Sequence, residues 1–441
     1  MGRARSGHPR RGCLRLRYRG RRATGCRKRT LMSYGLPYAD RRGRIFFDEQ
    51  ARALAEGGVL REPRREELIP LPAGSVAAML PERAPLVGTV AHPRPYGKGG
   101  YAAVGVLLPS GYTRLLLPAY RAAAAAPALP LFGYTFACVV DDELYVAAAK
   151  TDEGETWKPR FFEGDELETA IEQRIEIDPE NGVLGQVALC SREYGCFTAQ
   201  NVFFECGEAA IPVSPACNAR CLGCISQQEP DSPFPSPQTR ISRAADVDEI
   251  VRVALHHLAK DPGAVVSFGQ GCEGEPLMRY RTIVAAIREI RAQTAAGTLN
   301  LNTNGSLPEK LQEMIDAGLQ AVRVSLNSFR PEVYAAYYRP DRYGLSDVLD
   351  SIRRACTAGL RVSLNLLTFP GVTDEDAELD AMERFLREVH VEMVQTRTLN
   401  IDPAVYRQAV GAPLAPRGML EALARIRAAG SLVGNFTHQV L

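Results

Sequence analysis

Residues 212–226 read PVSPACNARCLGCIS, and Cys217, Cys221 and Cys224 stand in them with three and then two residues between. Three thiolates on one short loop can hold three corners of a metal cluster. Iron–sulfur cubanes normally take four Cys thiolates. None of the next three residues supplies a fourth, so one iron is left open to a small molecule. An amino acid can chelate that iron through its amino and carboxylate groups. The other reading is a zinc knot. Structural zinc wants a closed set of four N or S ligands, usually from paired C-x₂-C units, and no second pair at such spacing stands nearby.

The chain has 441 residues, long for a single domain, and a hydrophobic fraction of 46% that is enough to build a core. No uninterrupted apolar run reaches the length of a membrane span. Eleven cysteines in a chain this large are not a disulfide scaffold, which belongs to short secreted domains. Their grouping near position 217 points to metal chemistry in a reducing, cytoplasmic compartment.

The net charge of +2 hides an asymmetry. Residues 1–31 hold eleven Arg, one Lys and no acid, which leaves about −10 for the rest (2 minus 12). This leader has no apolar core and is not a secretory signal. It reads as an over-extended start with Met32 as the first residue, or as a transit peptide or a basic nucleic-acid arm. In each case disorder is expected, since it has little to bury.

Residues 32–207 read as a smaller, mostly antiparallel β domain. Ile45 to Ala55 is expected to be a short helix, and the proline-rich Pro63 to Pro95 mostly loop. Two hairpins are expected: Tyr101–Leu108 with Tyr112–Leu117 around Pro109-Ser110-Gly111, and Leu131–Val140 with Leu144–Ala148 around Asp141-Asp142-Glu143. Asp165 to Ile175 is a helix. Cys190, Cys196 and Cys206 are candidate ligands of an auxiliary cluster, or small buried residues, as free Cys commonly is.

From residue 208 to 400 strands and helices alternate. Strands are expected at 210–213, 264–268, 298–302, 321–326, 360–367 and 391–399. Helices are expected at 242–260, 277–292, 308–317, 345–358 and 374–388. Six strands separated by helices imply parallel pairing, because each crossover passes through a helix. Residues 401–441 read as a helical extension, with a helix at 419–428.

The C-x₃-C-x₂-C loop resembles the signature of the radical S-adenosylmethionine (SAM) superfamily, and the loops after later strands are similar to its other elements. Gly274-Glu275-Pro276, preceded by Glu273 where that family has another glycine, looks like its Gly-Gly-Glu-Pro element. Asn302-Thr303-Asn304-Gly305 matches its Thr-Asn-Gly. Ser325 and Asn327 stand where polar groups meet the ribose or carboxylate. Gly371 lies in the turn that contacts adenine, with Leu367 and Asp374 replacing the usual Gly and Glu. Gly223 stands where many members have an aromatic residue. The resemblance implies an α/β fold, a partial (β/α)₆ barrel with its chemistry at the strands' carboxyl ends. It also implies a [4Fe–4S] cluster on Cys217, Cys221 and Cys224, and SAM held by Gly274, Glu275, Pro276, Asn302, Asn304, Ser325, Asn327 and Gly371. The implied activity is reductive cleavage of SAM and hydrogen abstraction from a substrate, fed by an electron donor such as flavodoxin or ferredoxin.

Cys272, beside the Gly-Glu-Pro element, is a candidate catalytic thiol. It can donate a hydrogen atom, carry an intermediate or ligate a second cluster, and it can equally be a packed spectator. Arg397 and Asn400 are placed to bind an anionic group. The substrate class, small molecule, peptide or RNA, stays open, although the acidic body weighs against RNA. A non-catalytic iron–sulfur or zinc protein of the same fold is the alternative.

Overall fold

The computed structural model describes residues 34–97, 99–152, 164–411 and 415–435; the basic leader lies outside them. Among the described residues no helix is long and apolar enough to cross a membrane.

Alternation along the strands of the second half decides its architecture. In Ala321–Leu326, Val322, Val324 and Leu326 are buried, while Arg323 and Ser325 between them keep some surface. In Arg361–Thr368 the buried residues are Val362, Leu364, Leu366 and Thr368, and the alternate ones are Arg361, Ser363, Asn365 and Leu367. Period-two alternation gives a sheet one apolar face and one polar face. Helices cover the apolar face.

The sheet has seven strands: Glu208–Ile211, Val265–Phe268, Thr298–Thr303, Ala321–Leu326, Arg361–Thr368, Met393–Thr398 and Leu432–Gly434. They lie in chain order and every neighbouring pair is parallel. We refer to them as the first to seventh strands. The seventh was not expected from the sequence. It is three residues long, too short for periodicity to show.

Three helices precede the sheet: α1 (Asp165–Ile177), α2 (Gly182–Tyr194) and α3 (Phe197–Phe204). Asn181 caps α2 by accepting from the amides of Val183 and Leu184. The crossover helices follow: α4 (Val247–Lys260), α5 (Tyr280–Gln293), α6 (Pro308–Asp316), α7 (Pro331–Tyr338), α8 (Leu345–Thr357), α9 (Asp376–Glu388), α10 (Pro403–Val410) and α11 (Met419–Ala428). Glu249, at the start of α4, accepts from the amides of Asp246 at 3.0 Å and Gly182 at 2.8 Å, which fixes α2 against α4. Leu167, Ile171, Val183, Leu184 and Val187 share one apolar core with the sheet strands.

The front region corrects several expectations. Ile45–Arg52 is a strand rather than a helix, antiparallel to Gly35–Ala39; its β-prone start, Ile45-Phe46-Phe47, finds a partner that local propensity does not reveal. The proline-rich 63–95 stretch contains strands Leu68–Pro70, Val76–Leu80, Arg83–Thr89 and His92–Pro95. Pro93 and Pro95 sit on the outermost of these in its sheet, where a missing amide breaks no ladder. The hairpin expected around Pro109-Ser110-Gly111 does not form. Ala102–Leu107 pairs with Val76–Leu80, and Tyr112–Arg114 crosses to pair with Glu143–Lys150. The hairpin of Ala137–Val140 with Glu143–Lys150 does form. Asp141 and Asp142 both take positive φ at its turn, 51° and 66°, as two-residue hairpin turns require.

This region lies over the carboxyl ends of the fifth and sixth strands. Arg114, fully buried, donates to the carbonyls of Tyr134, Thr368 and Leu399 and lies 5.2 Å from the Phe369 ring centroid. Thr113 and Thr396 share a hydroxyl hydrogen bond of 2.5 Å. Arg83 and Asp402 form a buried ion pair at 2.8 Å.

Candidate active site

The three-cysteine loop follows the first strand, and other loops hold it mainly through backbone. Arg220 donates its amide to the Tyr338 carbonyl, and Leu222 donates to that of Tyr337. Gly274 and Glu275 donate their amides to the carbonyls of Ser214 at 2.7 Å and Ala216 at 2.8 Å. A Cβ on Gly274 would stand 2.1 Å from the Ala216 oxygen, so only glycine allows this approach. Gly269 meets the Asn302 carbonyl in the same way, at 1.9 Å.

Two buried carboxylates lock these loops. Glu273 accepts from the amides of Val213 at 2.8 Å, Ser214 at 2.7 Å and Gln270 at 2.7 Å, joining the ends of the first two strands. Glu275 accepts from the Thr303 hydroxyl at 2.5 Å and from the amides of Asn304 at 2.8 Å and Leu277 at 3.0 Å. Burial pushes the Glu273 carboxyl up to about 8 and that of Glu275 to about 7, against the donors that favour the charged form. Asn304 completes the frame: its side-chain amide donates to the Asn218 side chain of the cysteine loop at 3.0 Å.

Inside this frame is a cavity of about 370 Å³. Cys217, Cys221 and Cys224 line it, with Arg240, Gly274, Glu275, Pro276, Asn302, Asn304, Ser325, Tyr337 and Tyr338. Arg240 donates to the Cys224 sulfur at 3.4 Å. Burial raises the Cys217 thiol to about 11 and that of Cys221 well above its ordinary value. Three thiols spread around one cavity suit a larger cluster with an open corner. The donor set therefore fits a cubane.

A second cavity of about 710 Å³ shares Gln270, Gly271, Arg323, Tyr337, Asn365 and Leu367 with the first. Its other walls come from α2 (Cys190), the residue before α3 (Cys196), the front region (Tyr112, Phe132, Gly133) and the ends of the last strands (Arg397, Thr398, Asn400, Asn435). Arg397 lies deep and keeps its open surface toward this cavity; burial and the neighbouring Arg323 lower it to about 10.

The expected SAM residues divide. Gly274, Glu275, Pro276, Asn302, Asn304 and Ser325 line the smaller cavity. Asn327 and Gly371 are in neither wall. Asn327 is buried, donating to the Val333 carbonyl and the Tyr406 hydroxyl. Gly371, at φ 91°, packs on Gly57 and Gly58, and its amide donates to Asp374 at 2.5 Å. Cys272 lines the larger cavity with Cys190 and Cys196; Cys206 does not. Sequence reasoning missed Arg240, Arg323, Tyr337, Tyr338 and Asn365. The alternation of Arg323 with Val322 and Val324 carried the signal for that residue, whereas Arg240 lies in a loop without periodicity.

Residues 211–382 match the family model described as Radical SAM superfamily. The GTP 3',8-cyclase of Nautilia profundicola is 32% identical over 175 residues, 39% of this chain and 50% of the relative. That of Sulfurovum sp. is 31% identical over 175 residues, 39% of this chain and 49% of the relative. The chain thus spans about half the length of these curated relatives. Among solved structures, a radical SAM methyltransferase from Sphaerobacter thermophilus shares 18% identity over 51% of this chain and 65% of its own, with a TM-score of 0.36.

Proposed function

From a chain whose residues 211–382 match the Radical SAM superfamily model, we propose an enzyme that cleaves SAM reductively and abstracts hydrogen from a substrate in the larger cavity. The observation that carries this is the common wall of the two cavities. Cys217, Cys221 and Cys224 would hold a [4Fe–4S] cluster whose open iron takes SAM, and the pair, when bound, supplies a 5′-deoxyadenosyl radical. Such cofactors carry the hard chemistry while the protein positions and shields it. Glu273 and Glu275 hold the cysteine loop and the Gly274–Pro276 segment in one geometry. Leu367 and Tyr337 stand between the cavities as apolar wall, which keeps water from the reacting groups. Arg323 and Arg397 place two guanidinium groups on the larger cavity and favour an anionic substrate.

The same reading has the parallel strands curve as a partial (β/α)₆ barrel, with the antiparallel strands between Gly35 and Lys150 as a domain over its mouth; the boundary expected at 207 moves back, because α1, α2 and α3 pack in the core of the parallel sheet. It includes a flavodoxin- or ferredoxin-like electron donor and a cytoplasmic setting. GTP, named by the curated relatives, is the first anion to test. Anaerobically reconstituted protein is given dithionite and SAM, with and without GTP carrying deuterium. Formation of 5′-deoxyadenosine supports the enzyme, and deuterium in it supports GTP. An intact cluster without 5′-deoxyadenosine would leave a binding or electron-transfer protein.

A further inference from the structure

The larger cavity is poor in charge. Among its lining residues Arg323 and Arg397 carry the only full charges at neutral pH, and no Asp or Glu joins them in the wall. Arg323 is answered from behind the wall. Its guanidinium lies 3.5 Å from the Glu208 carboxylate, which also accepts from the Ser267 hydroxyl at 2.6 Å. Arg397 is held by neutral groups. It donates to the Asn435 side-chain oxygen at 3.4 Å and to that of Gln395 at 3.5 Å, two long bonds that leave most of its donors for a ligand. Glu208 and Asp152 act on it only across space. The two arginines less Glu208 leave at most one positive charge for a ligand. Asn365 supplies a second polar point. Its side-chain nitrogen donates to the Ser325 hydroxyl at 3.1 Å, and its oxygen is buried with no partner among the described residues. Turning the amide over would leave the nitrogen bare instead. Phe132, Phe197, Ile225 and Leu367 give the same cavity apolar wall.

We propose that the larger cavity takes a small molecule with a single carboxylate seated on Arg397, a neutral polar group against Asn365, and an apolar body. This rests on the reading that the substrate occupies this cavity, and it narrows the anion. A volume of about 710 Å³ is that of a small-molecule pocket rather than a groove for a polymer. A planar guanidinium matches a carboxylate through two parallel bonds. A phosphate monoester brings a charge of about −1.5 to −2 at pH 7, and a nucleoside triphosphate brings more. Each charge beyond the first would be buried without a cation, among amides, thiols and apolar carbons, which is strongly unfavourable. The start of α3 also reaches this wall, at Phe197 and Thr198. Its dipole is equivalent to roughly half a charge, too little to offset a second full one. A buried Asn365 atom without a partner is costly, and a donor or acceptor on the ligand removes that cost.

The test reads binding and needs no SAM cleavage. Reconstituted full-length protein is titrated calorimetrically with N-acetyl-L-phenylalanine, its primary amide, phenyl phosphate and GTP. The acid should bind about tenfold or more tightly than the amide and than either phosphate. Arg397→Gln should erase the preference for acid over amide. Arg397→Lys should keep part of it, because a point charge replaces the planar fork. Asn365→Ala should weaken acid and amide alike, by about two- to tenfold. Circular dichroism and iron content equal to the parent's show that each variant is folded. Acid and amide binding alike, a phosphate binding more tightly than the acid, no saturable binding of the acid, or a preference that survives Arg397→Gln overturns the proposal. 5′-Deoxyadenosine is measured separately. Its formation while acid and amide bind alike would leave the radical reading standing and sink this one. A tenfold preference for the acid without any 5′-deoxyadenosine would do the reverse.

Discussion

The two adjoining cavities are built by different means. Around the smaller one the loops are held by backbone: amides of the Gly274–Glu275 segment donate to the cysteine loop, and buried Glu273 and Glu275 collect amides from both sides. Around the larger one the walls are side chains from α2, α3, the front region and the last strands. Backbone-framed sites fix geometry and tolerate little change. Side-chain walls can be altered one residue at a time. The division suits a constant cofactor beside a variable substrate.

The sharpest way to break this contrast is Gly274→Ala. Its Cβ would meet a backbone oxygen at 2.1 Å, which no rotamer relieves. Iron bound on reconstitution should fall to about a tenth of the parent's, with stability lower by about 3 kcal/mol or more. Normal iron content would mean that the frame is not rigid.

Glu273→Gln comes next. The amide is the neutral counterpart of the protonated carboxyl that burial favours, so below about pH 7 the variant should lie within about 1 kcal/mol of the parent in denaturant titrations. Its pH dependence is also set. The parent carboxyl titrates at about 8 in the fold, above its ordinary 4.5. Its contribution is present in full below about pH 4.5 and is lost as pH rises through about 8. The parent apoprotein should therefore lose stability across this range more steeply than the variant. Parallel curves would contradict the raised value.

The larger cavity should respond differently. Arg397→Gln removes a buried charge beside Arg323, so stability should change by less than about 1 kcal/mol while KM for an anionic substrate rises about tenfold. SAM cleavage without substrate should be unaffected. Gly133→Ala is the mildest. Its Cβ meets the Thr398 methyl at 2.3 Å, a side chain that can turn aside. Iron content should match the parent's, with substrate turnover down about two- to fivefold, the effect of about 0.4–1 kcal/mol on the barrier.

The cysteine loop and the strand-end loops were legible in the sequence because their constraints are local. Gly274, Glu275 and Asn304 sit where strand and helix periods change, and each is needed in place. Glu273 read as a departure from a glycine; its role as a lock depends on Val213 and Ser214, about sixty residues away, which no spacing rule shows. α7, with its run of tyrosines, went unread because it is eight residues long, too short for its period to show; α10, equally short, lies inside the stretch read as a helical extension. The front region was least legible. Ile45–Arg52 is fixed by pairing with Gly35–Ala39 rather than by its own propensity. Ala102–Leu107 finds partners on both sides of itself in sequence.

The central claim is that three thiols facing one cavity hold a cluster with a vacant corner for SAM. The direct measurement is EPR of the reduced, anaerobically reconstituted protein with and without SAM, for the parent and for Cys221→Ala. The account predicts a signal in the parent that shifts when SAM is added, and loss of both signal and shift in the variant. An unchanged iron–sulfide content and the same SAM-induced shift in Cys221→Ala would contradict it.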